Sequence, residues 1–274
     1  MTFIYISKNG ELMRAEDATV PVSNIEFSYG FGVYETIRIV KGKGEFLSDH
    51  LERLMDSASI IGLEHTYEPE DVAKYIDELI SANSAATCNL KILLIGASKQ
   101  EDAQLFMICL NPLFPDKKLY RDGAHTITYI YERAFPHAKT LNMLQSYIAY
   151  REAKSAGAYD ALLVAHDGTI LEGTRTNFFC VKGKTIISPP ENRILAGVMR
   201  KAVLACAAQA GFKIEERDIP LTSIVSYDGA FLTSTSTKIM PVSSIGETKL
   251  GIPETLKELM QKFDVFLEDS RGKL

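Results

Sequence analysis

Hydrophobic and polar residues alternate along VYETIRIV, residues 33–40, and this period of two predicts a β-strand. A helix is predicted next, because apolar residues then recur at helical spacing, at positions 51, 54, 55, 58 and 61. Asp49 followed by Glu52 has the spacing of a helix-capping pair. Further helices are predicted at 70–82, 143–156 and 198–210, the last capped by Gly211, and strands at 89–96, 104–110, 125–131, 229–233 and 238–245, with a strand-rich stretch at 159–187.

The stretch NPLFPDKK, residues 111–118, contains two prolines followed by charged residues and is the best candidate for a linker. Mixed helices and strands on both sides of it predict an α+β protein of two domains. We expect a small N-terminal α/β domain at 1–112, a linker at 113–122 and a larger, strand-rich domain at 123–274.

The composition is that of an ordinary soluble globular protein, with 274 residues, 46% hydrophobic and 24% charged. A net charge of −5 argues against nucleic acid or an anionic membrane as the main partner. The N-terminus lacks the pattern of a secretory signal, and no apolar run reaches the roughly 20 residues that span a bilayer. The four cysteines form no CxxC pair, so we expect no metal, no disulfides and a cytoplasmic location.

The predicted strand at 33–40 places Tyr34, Thr36 and Arg38 on one face and Glu35 on the opposite, apolar face. A face with a phenol, a hydroxyl and a guanidinium is either solvated or lines a polar pocket. Arg53 lies off the apolar stripe of the following helix, so it is either a solvated arginine or an anion ligand.

Two ionisable residues can carry covalent or acid–base chemistry. Lys139, in AFPHAKTLNML, is either a solvated lysine or one that forms a Schiff base with an aldehyde. Glu172, in TILEGTRTNFF, is either a turn carboxylate paired with Arg175 or a carboxylate that keeps a heterocyclic nitrogen protonated. Neither pattern alone decides between its two interpretations.

Two segments offer donors to an anion. Gly197 opens the helix at 198–210, where free backbone N–H groups and the helix dipole favour an anion. Arg200 and Lys201 are unfavourable at that end of a helix unless a phosphate is bound there. The hydroxyl-rich run LTSTSTK, residues 232–238, is either a plain turn or a second source of donors. With Arg53, Lys139 and Glu172, these features are the set that a phosphorylated aldehyde cofactor requires.

Six motifs occur in one order between about residues 3 and 246: GxGVYETIR, DHLERL, KTLNML, EGTRTN, LAGVMR and TSTSTKIMPV. Their order resembles the fold type IV enzymes that use pyridoxal 5′-phosphate. That group includes D-amino acid aminotransferase, branched-chain aminotransferase and aminodeoxychorismate lyase. The resemblance implies a two-domain α+β fold, a homodimer, and an active site between the small and the large domain.

The resemblance also implies a role for each matching residue. Lys139 corresponds to the Schiff-base lysine that also moves protons, and Glu172 to the partner of the pyridine nitrogen. The residues implied to bind the cofactor phosphate are Arg53, Val198 and Met199 through their amides, Thr235 and Ser236. Leu195 is implied to pack on the ring, and Tyr34 and Arg38 to line the substrate pocket.

The run from Lys139 to Leu144 is similar to the D-amino acid aminotransferase and lyase branches rather than to the K-x-G-G-N-Y of branched-chain enzymes. GVYE, with Tyr34, looks more like an aminotransferase than a lyase, so a D-amino acid is the favoured substrate. Two departures are that Met199 replaces a threonine of many relatives, and that residues 96–104 lack the arginine and histidine that bind substrate in known D-amino acid enzymes.

Other activities remain open. They are a branched-chain L-aminotransferase, an aminodeoxychorismate lyase, an (R)-amine transaminase and, outside enzymes, a non-catalytic binding protein. For an amino acid substrate, a bidentate arginine is the efficient partner of the carboxylate, and Arg175 and Arg38 are the candidates.

Overall fold

The computed structural model describes residues 3–112 and 114–271, which form an α+β fold. They group into two compact units. The first unit comprises the described residues of Met1–Leu113 together with His137–Met143, and the second those of Phe114–Pro136 and Leu144–Leu274. The α+β class predicted from the sequence is confirmed.

The grouping differs from the expected domains, 1–112 and 123–274, because His137–Met143 belongs with the first unit although it lies late in the sequence. The expected linker at 113–122 also contains a short helix, Lys117–Asp122, whose first turn is capped by the Asp116 side chain. The division into functional domains stays a prediction.

The first unit is built on an antiparallel sheet with the strand order β2-β1-β6-β5-β3-β4. Its elements are β1 (Tyr5–Lys8), β2 (Glu11–Arg14), α1 (Ile25–Ser28), β3 (Gly32–Val40), β4 (Lys43–Gly44), α2 (Leu47–Ile60), α3 (Pro69–Ala82), β5 (Thr87–Ile95) and β6 (Gln104–Leu110). Short 3-10 turns occupy Ala15–Asp17 and Gln100–Asp102. The strand predicted at 33–40 and the helices predicted after position 49 and at 70–82 are therefore confirmed.

The alternation along β3 determines how this sheet is covered. Val33, Ile37 and Ile39 are fully buried and pack in one core with the apolar stripe of α2 and with α3. The alternate positions are half-buried, as the period-two pattern predicts. One face of β3 is thus the core, and the other carries Tyr34, Thr36 and Arg38.

The start of α2 differs from the prediction. The helix begins at Leu47 after Phe46, which has a φ of 52° and provides no side-chain cap. Asp49 lies inside the first turn, where its negative charge is favourable toward the helix dipole. The predicted capping pair of Asp49 and Glu52 is therefore wrong, because the helix starts three residues earlier than that pairing requires.

The second unit holds the larger sheet, in the order β12-β11-β10-β13-β14-β7-β8-β9. Its elements are α4 (Lys117–Asp122), β7 (Ala124–Ile130), α5 (Leu144–Ser155), β8 (Asp160–Val164), β9 (Ile170–Gly173), β10 (Asn177–Lys182), β11 (Thr185–Ser188), α6 (Val198–Gln209), β12 (Lys213–Glu216), β13 (Gly229–Ser234), β14 (Lys238–Ile245), β15 (Thr248–Lys249) and α7 (Glu254–Arg271). Two 3-10 turns lie at Glu191–Arg193 and Leu221–Ser226. β9 also pairs with β10 through Glu172 and Asn177.

Most elements predicted for this unit are confirmed. α6 is followed by Gly211, whose φ of +76° suits the end of a helix. α7 was not predicted, although Leu256, Leu259, Phe263 and Leu267 form its buried face. Within residues 3–112 and 114–271, no helix has both the length and the apolar character needed to cross a membrane.

Candidate active site

The backbone of Lys139 is fixed against the edge of β3. The Tyr34 amide donates a hydrogen bond to the Lys139 carbonyl (2.9 Å), and the Leu141 amide donates to the Gly32 carbonyl (2.8 Å). The Lys139 amide donates to the Ser57 hydroxyl of α2 (3.0 Å). Lys139 therefore lies in a short segment that extends the first sheet beyond β3.

Gly32 makes this close approach possible. A Cβ atom at Gly32 would lie 2.7 Å from the Leu94 carbonyl oxygen and 2.7 Å from a methyl carbon of Leu141. The neighbouring strand cannot withdraw without breaking its pairing with β3. Only glycine fits between the two segments, which gives a physical reason for the second glycine of the GxGVYETIR motif.

The side chain of Lys139 lies over the ring of Tyr34, with Nζ 4.5 Å from the ring centroid. It is half-buried, and the Tyr34 hydroxyl donates to the sulfur of Met143 (3.8 Å). An ammonium over an aromatic face is held by the ring quadrupole. The lysine is therefore partly withdrawn from solvent and directed along the polar face of β3.

That polar face continues onto β5. Directly opposite Arg38 lies Asn89, and opposite Thr36 lies Lys91, whose Nζ is 5.9 Å from the Tyr34 ring centroid. Among the described residues, Asn89 Oδ1 is buried without a hydrogen-bond partner. The half-burial of this face favours the polar-pocket interpretation over a solvated face. Sequence reasoning missed Asn89 and Lys91, because their place depends on the strand register.

Glu35 is a fully buried carboxylate on the core face of β3. Oε1 accepts from Arg53 Nε (2.6 Å), and Oε2 accepts from Arg53 Nη2 (2.9 Å), from His50 Nδ1 (2.8 Å) and from the Thr36 amide (3.1 Å). Burial raises the pKa of Glu35, but Arg53 and His50 outweigh it and lower the pKa to about 2. The carboxylate is therefore ionised at neutral pH.

Arg53 is therefore not a simply solvated side chain. An external anion would also not be its only partner. Its Nε and Nη2 form a bidentate pair with Glu35, and it is largely buried. A planar guanidinium held by one edge has a fixed orientation. Its predicted contact with a cofactor phosphate stays a prediction.

In the second unit, Glu172 is buried and pairs with Arg133. Arg133 Nε donates to Glu172 Oε1 (2.7 Å), and Arg133 Nη2 donates to the carbonyl of Thr174 (2.9 Å). The Leu195 amide approaches Glu172 Oε2 at 3.4 Å, which ties the two predicted cofactor residues together. The pairing of Glu172 with Arg175 considered from the sequence is not the one observed.

Arg175 is exposed, and its guanidinium carbon lies 3.9 Å from the ring centroid of Tyr150. Stacking on an aromatic face leaves the edge of a guanidinium able to donate hydrogen bonds. Its role toward a substrate carboxylate stays a prediction, as does that of Arg38.

Asp160 determines the shape of the turn after Glu172. Its carboxylate accepts from the hydroxyls of Thr174 and Thr176 and from the Thr174 amide (3.3 Å). A Cβ atom at Gly173 would collide with Thr176 and Asp160, so the turn requires glycine there. The EGTRTN motif is therefore a hydroxyl-lined turn wrapped around one buried carboxylate, which sequence reasoning did not identify.

The start of α6 has the properties of an anion site. Its N-cap is Gly197, no side chain caps it, and the first turn contains no acidic residue. A Cβ at Gly197 would collide with the Asn177 side chain, whose Nδ2 donates to the Leu195 carbonyl (2.8 Å). Val198 and Met199, whose amides were predicted to bind phosphate, are buried at this end.

Arg200, one of the two cations in this first turn, does not need a bound phosphate to offset its charge. Arg200 is buried and pairs with Glu191 (2.6 Å) and Glu216 (2.6 Å), so two carboxylates offset its charge. That part of the prediction is wrong, because the compensating acids are distant in sequence.

The hydroxyl-rich run forms the turn between β13 and β14, with Thr235 and Ser236 half-buried at its tip. Close by in sequence, Thr233 Oγ1 is buried and lacks a hydrogen-bond partner within the part of the chain that the structure describes. An uncapped helix start and an unsatisfied buried hydroxyl are what a bound phosphorylated group would complete. The residues of this unit therefore fit such a cofactor.

Comparison with known proteins gives a consistent result. The sequence model of the family described as Amino-transferase class IV matches residues 32–245. A D-alanine aminotransferase from Bacillus licheniformis is 28% identical over 257 residues, with 89% of each chain covered. Among solved structures, a branched-chain aminotransferase from Thermoproteus uzoniensis with norvaline is similar with a TM-score of 0.86 and 27% identity, covering 97% of this chain and 95% of that one. A branched-chain amino acid aminotransferase from T.th., with pyridoxamine 5′-phosphate, has a TM-score of 0.90 and 25% identity, with 100% and 96% covered.

The low pKa of Glu35 predicts a pH-dependent stability. A carboxyl whose folded pKa is near 2, against a reference of 4.5, adds stability above pH 4.5 that is lost as the pH falls toward 2. The full difference corresponds to about 3 kcal/mol. Urea unfolding of the wild type and of Glu35→Gln should therefore show a steeper loss of unfolding free energy in the wild type between about pH 5 and pH 3. Parallel curves would contradict the assignment.

Proposed function

We propose, from the premise that this chain belongs to the class IV aminotransferase family, that it moves an amino group between a D-amino acid and a 2-keto acid. As a member of that family it is an enzyme that uses pyridoxal 5′-phosphate. The observation that carries the proposed transamination is the position of Lys139, fixed on the edge of β3 with its ammonium over Tyr34.

The cofactor supplies an aldehyde that bonds to amines and a ring that accepts the electron pair left when a proton leaves the substrate Cα. In the proposed site, Lys139 provides the amine that holds it, and Glu172 faces the ring nitrogen. The proposed phosphate ligands are Arg53, the amides of Val198 and Met199, Thr235 and Ser236, with Leu195 packed on the ring. Arg133 pairs with Oε1 of Glu172, and Glu172 is proposed to be the partner of the protonated ring nitrogen as well.

Lys139 is proposed to act twice in each half-reaction. Its Nζ takes the proton from the substrate Cα as a general base and later returns a proton as an acid. Hydrogen bonds on both sides of the Lys139 backbone restrict the positions that this nitrogen can reach. Release of the keto acid before a second keto acid binds makes the cycle ping-pong.

The substrate is proposed to lie along the polar face of β3, against Tyr34 and Arg38. Arg175 is the first candidate for binding its carboxylate, and Arg38 the second. The run from Lys139 to Leu144, which is similar to the D-amino acid branch, favours a D-amino acid. A branched-chain L-aminotransferase is the second candidate, because proteins with that name are similar along nearly the whole chain.

The enzyme is proposed to be a homodimer. An N-terminal segment exposes Val22, Ile25, Phe27 and Tyr29, and Val22 is 98% exposed. Large apolar side chains grouped on a surface mark sites of association. A homodimer is the association that the family resemblance implies, so a second copy of this chain is the proposed partner.

A cytoplasmic location is supported by the cysteines. All four, Cys88, Cys109, Cys180 and Cys206, are buried and free. Unpaired thiols are typical of a reducing compartment.

Lys139 is predicted to be the residue that bonds to the cofactor. Borohydride reduction of the purified enzyme, followed by peptide mass mapping, should place the added mass on the peptide that contains Lys139. Lys139→Ala should lose transamination by at least roughly a thousandfold, since both covalent attachment and proton transfer are removed. Lys91→Ala, on the same face, is the control and should keep the covalent bond. Label on another lysine would refute the assignment.

The same preparation decides the substrate. D-alanine, L-leucine, (R)-phenylethylamine and aminodeoxychorismate should be compared by steady-state kinetics, each with 2-oxoglutarate where an acceptor is needed. The highest kcat/KM is expected with D-alanine. A preference for L-leucine would support the second candidate instead.

Arg175 is predicted to bind the substrate carboxylate. Arg175→Ala should raise the KM for amino acids by roughly 10- to 100-fold, as expected for one charge-assisted hydrogen-bonded pair. It should change activity on plain amines far less, because they have no carboxylate. Arg38→Ala, measured in parallel, tests the second candidate. Equal losses on amines and amino acids would exclude a carboxylate role for the residue concerned.

Association is predicted to depend on the exposed N-terminal segment. Light scattering after size exclusion should give twice the chain mass, and Ile25→Asp should shift the protein toward the monomer because it places a charge in an apolar contact. Val265→Asp, at an exposed apolar position of α7, is the matched control and should remain dimeric. A wild-type monomer at micromolar concentration would refute the dimer.

A further inference from the structure

The core face of β3 contains one charged residue among apolar ones. Glu35 is completely buried, whereas its neighbours on that face, Val33 and Ile37, belong to the hydrophobic core. Removing a carboxylate from water is costly unless charged partners and hydrogen bonds compensate. The partners here, Arg53 and His50, both come from α2, three residues apart and on the side of the helix that meets the sheet.

We propose that Glu35 is a positioning residue that orients Arg53 to bind the phosphate of the cofactor. This inference rests on the proposed function, in which Arg53 is a phosphate ligand. Two parallel contacts, 2.6 Å and 2.9 Å, hold the Nε and Nη2 edge of the guanidinium to Glu35. The group is planar and rigid, so holding one edge sets the direction of the remaining N–H bonds, away from Glu35.

His50 contributes by fixing Glu35 itself. An ionised carboxylate only accepts hydrogen bonds, so His50 Nδ1 must be the donor in the 2.8 Å contact. The Thr36 amide donates to the same oxygen, Oε2, at 3.1 Å. The orientation of Arg53 is therefore determined by a carboxylate that is itself held from the strand and from the helix.

A purely structural role is the alternative, and it makes a different prediction. Buried ion pairs are often no more stabilising than well-packed apolar residues, so stability alone explains this arrangement poorly. If Glu35 only holds α2 against β3, its loss should weaken all cofactor binding alike. If Glu35 orients Arg53, its loss should weaken only the part of cofactor binding that depends on the phosphate.

The test compares binding of pyridoxal 5′-phosphate with binding of pyridoxal, which lacks the phosphate. Apoenzyme, prepared by removing the cofactor from the purified protein, is titrated with each compound, and the ratio of the two dissociation constants is measured. Glu35→Gln keeps the shape of the side chain but removes its charge. It should weaken binding of the phosphorylated compound by roughly 10-fold or more, the scale of a charge-assisted hydrogen bond, and leave pyridoxal within about threefold.

Glu52→Gln is the matched control, because Glu52 is an exposed acid beside Arg53 on the same helix. It should leave the ratio unchanged. Equal weakening of both compounds by Glu35→Gln would overturn the inference and support the structural role. If Glu35→Gln does not fold, the ratio is measured with Glu35→Asp instead, which keeps the charge but shortens the side chain. Weaker binding of the phosphorylated compound alone supports the inference, and equal weakening of both compounds overturns it.

Arg53→Ala separates this inference from the proposed function. Alanine removes both the charge and the hydrogen-bond donors of the guanidinium. If Arg53→Ala leaves the ratio unchanged, Arg53 is not a phosphate ligand and the proposed cofactor site is wrong at this residue. If Arg53→Ala changes the ratio and Glu35→Gln does not, only the positioning role of Glu35 is overturned.

Discussion

The need to compensate buried carboxylates shapes both units of this enzyme. A carboxylate taken out of water is tolerated only when cations or several hydrogen bonds replace its hydration. Glu35 meets that condition with Arg53 and His50, Glu172 with Arg133, and Asp160 with the hydroxyls and amides of the turn that follows β9. Each set fixes side chains or backbone next to a residue proposed to contact cofactor or substrate. Order at the site is therefore a direct result of burying charge.

The sequence was most informative where one local rule was sufficient. The period of two along β3 correctly separated its polar and core faces, and Gly197 correctly marked the start of α6. The same alternation placed Glu35 in the core without showing what would compensate it. Its partners lie 15 and 18 residues away on a helix, and Arg133 lies 39 residues from Glu172. Such contacts depend on the packing of whole elements, which periodicity does not specify.

Two features that were not predicted, the β1–β2 hairpin and α7, nonetheless have clear signals in the sequence. The dipeptide Asn9-Gly10 has the positive φ angles of a tight hairpin between β1 and β2 and is a strong turn signal in any sequence. The buried residues of α7 recur at helical spacing and were not used. By contrast, predicting that Asn89 and Lys91 lie opposite Arg38 and Thr36 requires knowledge of the register of β5 on β3. A shift by one residue would turn both side chains into the core.

The return of His137–Met143 to the first unit has a consequence for synthesis on the ribosome. Domains of large proteins usually fold as they emerge, the N-terminal one first. Here the nascent chain can form the sheet from β1 to β6, but the edge of β3 around Val33 waits for Thr140, which is translated only after a stretch of the second unit. During that interval the backbone edge of β3 around Val33 is open to water. Lys139, the lysine proposed to hold the cofactor, is thus added to an already formed sheet as one of the last parts of that unit, so a chain that stalls before it carries no amine at this position.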